Sequence, residues 1–143
     1  MKTNLLKQLQ DEWRAVVQSI GSQMKPILLT HDLTKVDGII LMRVEKEQAM
    51  TKAELAEKLN FEPASLTRSL DRLVKRKLLH RYTDSADKRY IRIELTSTGK
   101  ALTQGLKQEM LSIWNQALGK CEPDEITSFI RILEKARGNL TQK

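Results

Sequence analysis

Cysteine is almost missing from this chain: Cys121 stands alone, so no intramolecular disulfide can form, and no CxxC or HxxxH spacing offers metal ligands beside it. Its plain reading is an inert or partly buried thiol near a helix end. His31 and His80 are the only histidines, and neither stands near Cys121 or in a carboxylate cluster, so neither a metal site nor a metal cofactor is expected. No apolar run approaches the roughly 20 residues needed to cross a bilayer, and Met1 is followed by mixed polar and apolar residues rather than the apolar core of a signal peptide. The expectation is a cytoplasmic chain with no membrane partner. There is no nucleophile motif, phosphate-binding loop or paired acid and base, which argues against an enzyme and against a cofactor. Aromatic residues make up 4% of the sequence, and Trp13 and Trp114 fall on apolar stripes, where core packing is the plain reading and a pocket lining the alternative.

What the chain does have is helical periodicity. Its 143 residues suit a single domain, and 40% hydrophobic with 30% charged residues is a globular, helix-rich balance. Leu6, Leu9, Trp13, Val16, Ile20, Met24 and Ile27 form one stripe of a first helix, which Pro26 is expected to end or kink. Thr34 and Asp37 have the spacing of a helix cap, opening a second helix through Val36, Ile39, Ile40 and Val44 that Gly38 weakens slightly. Thr51 to Glu54 is an S/T-x-x-E capping box, and Leu55, Ala56 and Leu59 give the short helix after it a buried face. Pro63, favoured at a first helical position, starts the next helix after a short break. Helix, turn, helix is the result.

On that second helix, spanning 63–77, Leu66, Leu70, Leu73 and Val74 face one way, while Ser65, Arg68, Arg72 and Lys75 face the other. Leu79 to Tyr82 and Tyr90 to Leu95 then read as two strands, with Ile91, Ile93 and Leu95 inward, and with a polar turn over Thr83 to Arg89. Past Gly99 a long helix carries Leu102, Leu106, Met110, Ile113 and Leu118. Gly119 and Pro123 punctuate it, and a last helix carries Ile126, Phe129, Ile130, Leu133 and Leu140.

Charge is concentrated on the middle of this pattern. Between Pro63 and Arg92 there are nine Lys or Arg against three Asp, +6 of the chain's net +7. A field so localised suits a polyanion, and a helix with a hairpin beside it matches the major and minor grooves of duplex DNA. A membrane-surface protein would instead spread its cations along one amphipathic helix.

The segments TKAELAEKLN and SLTRSLDRLVKRKLLHR, and above all the Asp-x-Arg of Asp87 and Arg89 leading to Leu95, Thr96 and Gly99, resemble the MarR (multiple antibiotic resistance regulator) family of bacterial transcription factors. The likeness covers nearly the whole chain. It implies a mainly α fold with a small β wing, a winged helix-turn-helix lobe over 34–96, and dimerisation helices over 1–31 and 98–143. It also implies that Arg89 enters a minor groove from the wing tip (79–95 being the wing) with Asp87 orienting it, which is physically reasonable where a narrow groove concentrates negative potential. Lys88 and Arg81 are expected on phosphates. Ser65 and Arg68, with Thr67 and Arg72 beside them, are expected at base edges, phosphate contact alone being left open. Thr51, Lys52 and Lys75 complete the expected DNA-binding set.

One residue departs from the family pattern: Lys77 stands where a glycine is usual, an uncomfortable place for a left-handed cap. The long apolar stripes of the terminal helices call for a second copy as cover, around Leu9, Trp13, Leu118, Phe129 and Ile130. The resemblance thus implies a homodimer on a pseudo-palindromic operator, acting as a repressor that a small, often phenolic or amphipathic, inducer releases. The family's peroxide sensors carry a reactive cysteine in the first helix, which this chain lacks.

Overall fold

The computed structural model describes residues 1–141 in the order α1 (Lys2–Thr30), α2 (Lys35–Glu47), β1 (Met50–Thr51), α3 (Lys52–Leu59), α4 (Pro63–Lys75), β2 (Leu79–Thr83), β3 (Ile91–Leu95), α5 (Ser97–Leu118) and α6 (Pro123–Thr141). Two compact units emerge, Met1–Met110 and the part of the chain from Leu111 onward. The first holds the helix-turn-helix and the hairpin, and it contains every group considered for the interface below.

Local chemistry explains most of the boundaries. Thr34 accepts the Asp37 N–H at 3.1 Å while Asp37 accepts the Thr34 N–H at 2.8 Å, a reciprocal box that starts α2. Thr51 and Glu54 do the same for α3 at 3.1 and 3.0 Å. Asn60, left-handed at φ 51° and ψ 44°, ends α3, and Pro63 occupies the first turn of α4. The core of this unit brings together Ile40, Leu41, Val44, Leu55, Leu66, Leu70, Leu73, Leu79 and Ile93. Gly38 packs closely on α1, where an added Cβ would lie 2.9 Å from a Leu28 methyl and that side chain would have to shift.

Several expectations need correcting. Pro26 does not end α1, which continues to Thr30. Only one intrahelical donor is lost there, while Met24 and Leu28 on either side are buried and hold the last turns down. A short strand, β1, went unrecognised: Met50 and Thr51 pair antiparallel with Ile93 and Arg92, giving a sheet of order β1-β3-β2. Two residues are too few for a periodic signal. Ile91 is 56% exposed rather than inward; it pairs with Thr83 at the far end of the hairpin, beyond the core that covers Ile93 and Leu95. Cys121 is exposed between α5 and α6, so the partly buried thiol is not found. Trp13 is 45% exposed on α1 rather than buried in a core. No helix among the described residues is long and apolar enough to cross a membrane.

Candidate nucleic-acid interface

The α4 helix divides its faces as the periodicity predicts. Leu66, Leu70 and Leu73 are fully buried, whereas Ser65, Arg68 and Lys75 are exposed. Among the described residues, Arg68, Lys75 and Lys88 form no ion pair. Their charge is therefore available to an outside anion. Lys52, at the start of α3, donates to the Thr67 hydroxyl, which itself donates to the Pro63 carbonyl at 2.8 Å. That short chain ties the first turn of α4 to the first turn of α3.

The remaining expected contacts are already engaged within the protein. Thr51 is buried, its hydroxyl taken by the α3 cap and its backbone by β3; it builds the site and does not face outward. Arg81 is ion-paired with Asp71 on α4, which joins β2 to the outer side of that helix. Arg72, expected on the outward face, turns inward, and its Nη2 donates to Asp37 Oδ1 at 2.6 Å and to the Thr34 hydroxyl at 3.3 Å. Asp37 has no exposed surface at all. Arg76, just past α4, donates through Nη1 to the Asp32 carbonyl at 2.7 Å and through Nη2 to the His31 carbonyl at 2.8 Å. In the sequence Arg76 adds only to the charge between Pro63 and Arg92, since nothing in local spacing links it to residues so far upstream.

Lys77 does adopt the left-handed conformation, φ 58°. Leu78 N–H bonds the Leu73 carbonyl at 3.0 Å and Lys77 N–H the Val74 carbonyl at 2.9 Å, the paired bonds of a Schellman cap. Buried Leu73 and Leu78 supply the apolar contact that accompanies such a cap, so the helix end forms as glycine would form it, at the steric expense of a lysine Cβ.

The wing's framework is carried by Thr96 and Gly99. The Thr96 hydroxyl donates to the Lys77 carbonyl at 2.6 Å and accepts the Gly99 N–H at 3.0 Å, while the Thr96 N–H bonds the Leu78 carbonyl at 3.1 Å. An added Cβ on Gly99 would fall 2.0 Å from that Leu78 oxygen. The Leu-Thr-x-x-Gly spacing is thus the joint that fastens the base of the wing to the start of α5.

At the other end of the hairpin two carboxylates organise the turn. Asp84 accepts from Arg92 Nε at 2.7 Å and from the N–H groups of Ala86 and Asp87 at 2.8 and 3.0 Å. Those bonds, the Arg92 guanidinium first, hold its carboxyl below the usual carboxylate range. Asp87 accepts from Arg89 Nε at 3.0 Å and Nη2 at 2.7 Å, and from the Arg89 N–H at 3.1 Å. Its carboxyl is lowered likewise, chiefly by the Arg89 side chain and then by that N–H. The Arg89 side chain is nonetheless 84% exposed: aimed by Asp87, open to solvent, and set close to Tyr90, whose ring centroid is 6.0 Å away.

Beside this lobe, α1, α2 and the first part of α5 enclose a groove of about 1100 Å³ lined mainly by apolar groups, among them Trp13, Val17, Leu29, Ile39, Met42 and Met110. Among the described residues there is no cluster of His, Cys, Asp and Glu able to hold a metal ion.

The sequence model of the MarR family matches residues 33–91, the stretch from the start of α2 to the far end of the wing. A Bacillus subtilis (strain 168) protein named as the uncharacterised HTH-type transcriptional regulator YhbI is 28% identical over 136 residues, covering 95% of this chain and 86% of that protein. The crystal structure of a cysteine-to-serine mutant of Escherichia coli MarR in complex with operator DNA is 25% identical with a TM-score of 0.74, covering 93% of this chain and 96% of that one. A MarR family protein from Bacillus stearothermophilus shares the fold over 99% of both chains, with a TM-score of 0.86 and 21% identity.

Proposed function

We propose, for a chain that belongs to the MarR family of winged-helix transcriptional regulators, that it works as a homodimeric repressor on a pseudo-palindromic operator, with α4 in the major groove and the β2–β3 wing in the minor groove. The observation that carries this reading is Arg89: a guanidinium held by a carboxylate at the end of the hairpin yet 84% exposed is pre-aimed at an anion outside the protein. Arg68, Ser65 and Lys75 supply the outward face of α4 and Lys88 a phosphate contact on the wing, with Lys52 and Thr67 flanking the helix start. Likeness to a MarR protein seen on its operator supports the same docking.

Dimerisation follows from the apolar residues that α1 leaves exposed, Leu5, Leu6, Leu9, Trp13, Val16 and Val17. Covering such a stripe gains about 25 cal/mol per Å² before association costs, and two lobes so joined place their α4 helices about one helical turn of DNA apart, roughly 34–36 Å. The apolar groove suits a small amphipathic or phenolic molecule whose binding shifts the lobes between DNA-competent and DNA-incompetent spacings.

Selection of genomic fragments with the purified protein, followed by fluorescence anisotropy, tests the reading. For about 6–10 phosphate contacts affinity falls roughly 10³–10⁵-fold between 50 and 200 mM salt. A flat salt response, or no fragment preferred over bulk DNA, sinks it; light scattering that shows a folded 16.5 kDa monomer at micromolar concentration sinks the dimer.

A further inference from the structure

Two of the cations on and just past the proposed recognition helix are already bonded within the protein. Arg72 and Arg76 both reach to the corner between α1 and α2, and they grip it at different points: Arg72 at the Thr34 hydroxyl and Asp37, Arg76 at the His31 and Asp32 carbonyls. The two arginines lie four residues apart, one helical turn, so they meet the corner from adjacent turns of the same face.

The chemistry of each contact is specific. Asp37 is fully buried, and Arg72 is its ion-pair partner among the described residues. If Arg72 left for a phosphate it would strand a buried carboxylate, a far larger penalty than a solvent-exposed phosphate contact returns. Its Nε is enclosed, while 38% of the side chain stays exposed. Arg76 forks two donors onto consecutive carbonyls at the end of α1, where Asp32 is left-handed at φ 52° and where the helix dipole favours a cation. One attachment would let α4 pivot; two fix its rotation and tilt.

We infer that Arg72 and Arg76 are positioning residues, a two-point latch that sets the angle of α4 against the α1–α2 corner, and that neither contributes a phosphate contact. The inference rests on the DNA-binding reading above and alters its residue roles: Arg72 leaves the set of groups at the base edges.

The test uses full-length protein, a selected operator fragment and an unrelated duplex, each titrated across salt by anisotropy, with circular dichroism to verify folding. The variants are Asp37→Asn and Arg76→Gln. If the latch holds α4 in register, both variants lose roughly 5–150-fold in operator affinity, the value of one base-reading contact, while binding to the unrelated duplex and its salt slope stay as in the wild type. If Arg72 instead serves DNA, Asp37→Asn releases it and operator binding stays level or tightens. If Arg76 contacts phosphate, Arg76→Gln lowers the salt slope by about 0.9 per subunit. Either of the last two results overturns the latch. Should Asp37→Asn fail to fold, Arg76→Gln, at a partly exposed cap, decides alone. Wild-type protein that does not prefer any operator fragment removes the reading beneath the latch; a wild type that prefers one, with both variants unaffected, removes the latch only.

Discussion

Replacing Gly99 with alanine is the most direct probe of the joint between wing and helix. The new Cβ would lie 2.0 Å from the Leu78 carbonyl oxygen, 3.0 Å from the Leu78 carbonyl carbon and 3.3 Å from its Cα. Relief requires that oxygen to retreat by about 1 Å, to the contact distance of unstrained neighbours. The same oxygen receives the Thr96 N–H at 3.1 Å and lies 3.2 Å from the Thr96 hydroxyl, whose one proton is given at 2.6 Å to the Lys77 carbonyl, so a retreat of about 1 Å breaks the N–H bond. At about 0.5–1.5 kcal/mol for that bond, with a desolvation penalty of about 1–3 kcal/mol for the groups left unpaired, the loss is roughly 2–4 kcal/mol. Alanine's better helix propensity returns at most about 1 kcal/mol. The net of about 1–3 kcal/mol lowers Tm by roughly 3–12 °C for a chain of this size. Gly105 lies on the same helix with nothing within 4 Å of an added Cβ, so Gly105→Ala is the control, unchanged or stabilised by up to about 1 kcal/mol. Thermal unfolding followed by circular dichroism reads both. A Gly99→Ala protein that melts with or above the Gly105→Ala control refutes the close approach and the role assigned to the Leu-Thr-x-x-Gly spacing.

Lys77→Gly removes the left-handed strain of a non-glycine cap and stabilises the protein by about 1 kcal/mol, less the added freedom of the unfolded chain; a lower denaturant midpoint is the opposing result. In competition assays on operator variants, Arg68→Ala weakens binding roughly 5–150-fold and relaxes preference at one position per half-site. Arg89→Ala instead weakens binding most where the flanks are A·T-rich and the minor groove narrow; equal affinity of both mutants and wild type for every variant contradicts the groove assignments. Asp84 and Asp87 have folded-state pKa values below the usual carboxylate range, so the turn they stabilise is fully formed above about pH 4 and is lost as pH falls through those lowered values. Amide exchange or NMR shifts of Ala86 and Arg89 that already change near about pH 6 would contradict that window.

Local signals were legible and long-range ones were not. Both capping boxes, the Pro63 start and the wing's alternation are written within a few residues, where spacing fixes geometry. The outward face of α4 was also readable, because burial of Leu66, Leu70 and Leu73 leaves Ser65 and Arg68 no other direction. Arg72 obeys the same periodicity yet turns inward, because its partner lies 35 residues earlier in the chain and no pattern on one helix reports a carboxylate buried in another. Asp37 was read only as a cap; that it is also a counter-ion is a property of packing. Ile91 errs in the opposite direction, since alternation tells which face a side chain takes but not how far the core extends beneath it.

These differences share a physical cause that bears on how the lobe acts. On the proposed docking, Lys75 and Lys88, which have no ion-pair partners among the described residues, give affinity with little direction, as flexible ammonium groups do, while the Arg68 fork reads a base edge. The aim of those contacts comes from groups that need not touch the duplex. Asp87 fixes Arg89, Thr96 and Gly99 fix the base of the wing, and the Asp37 and His31–Asp32 contacts hold α4 against the α1–α2 corner. Arg72 and Arg76 touch the α1–α2 corner directly, so a shift of that corner reaches α4 without first passing along the backbone of the wing. The apolar groove borders that same corner at Leu33, Thr34 and Lys35. On the proposed docking, a molecule seated there would press on the elements that aim α4 and leave the Asp87–Arg89 clamp intact, so its effect would fall on base reading proposed for the helix before it reached the minor-groove contact proposed for the wing.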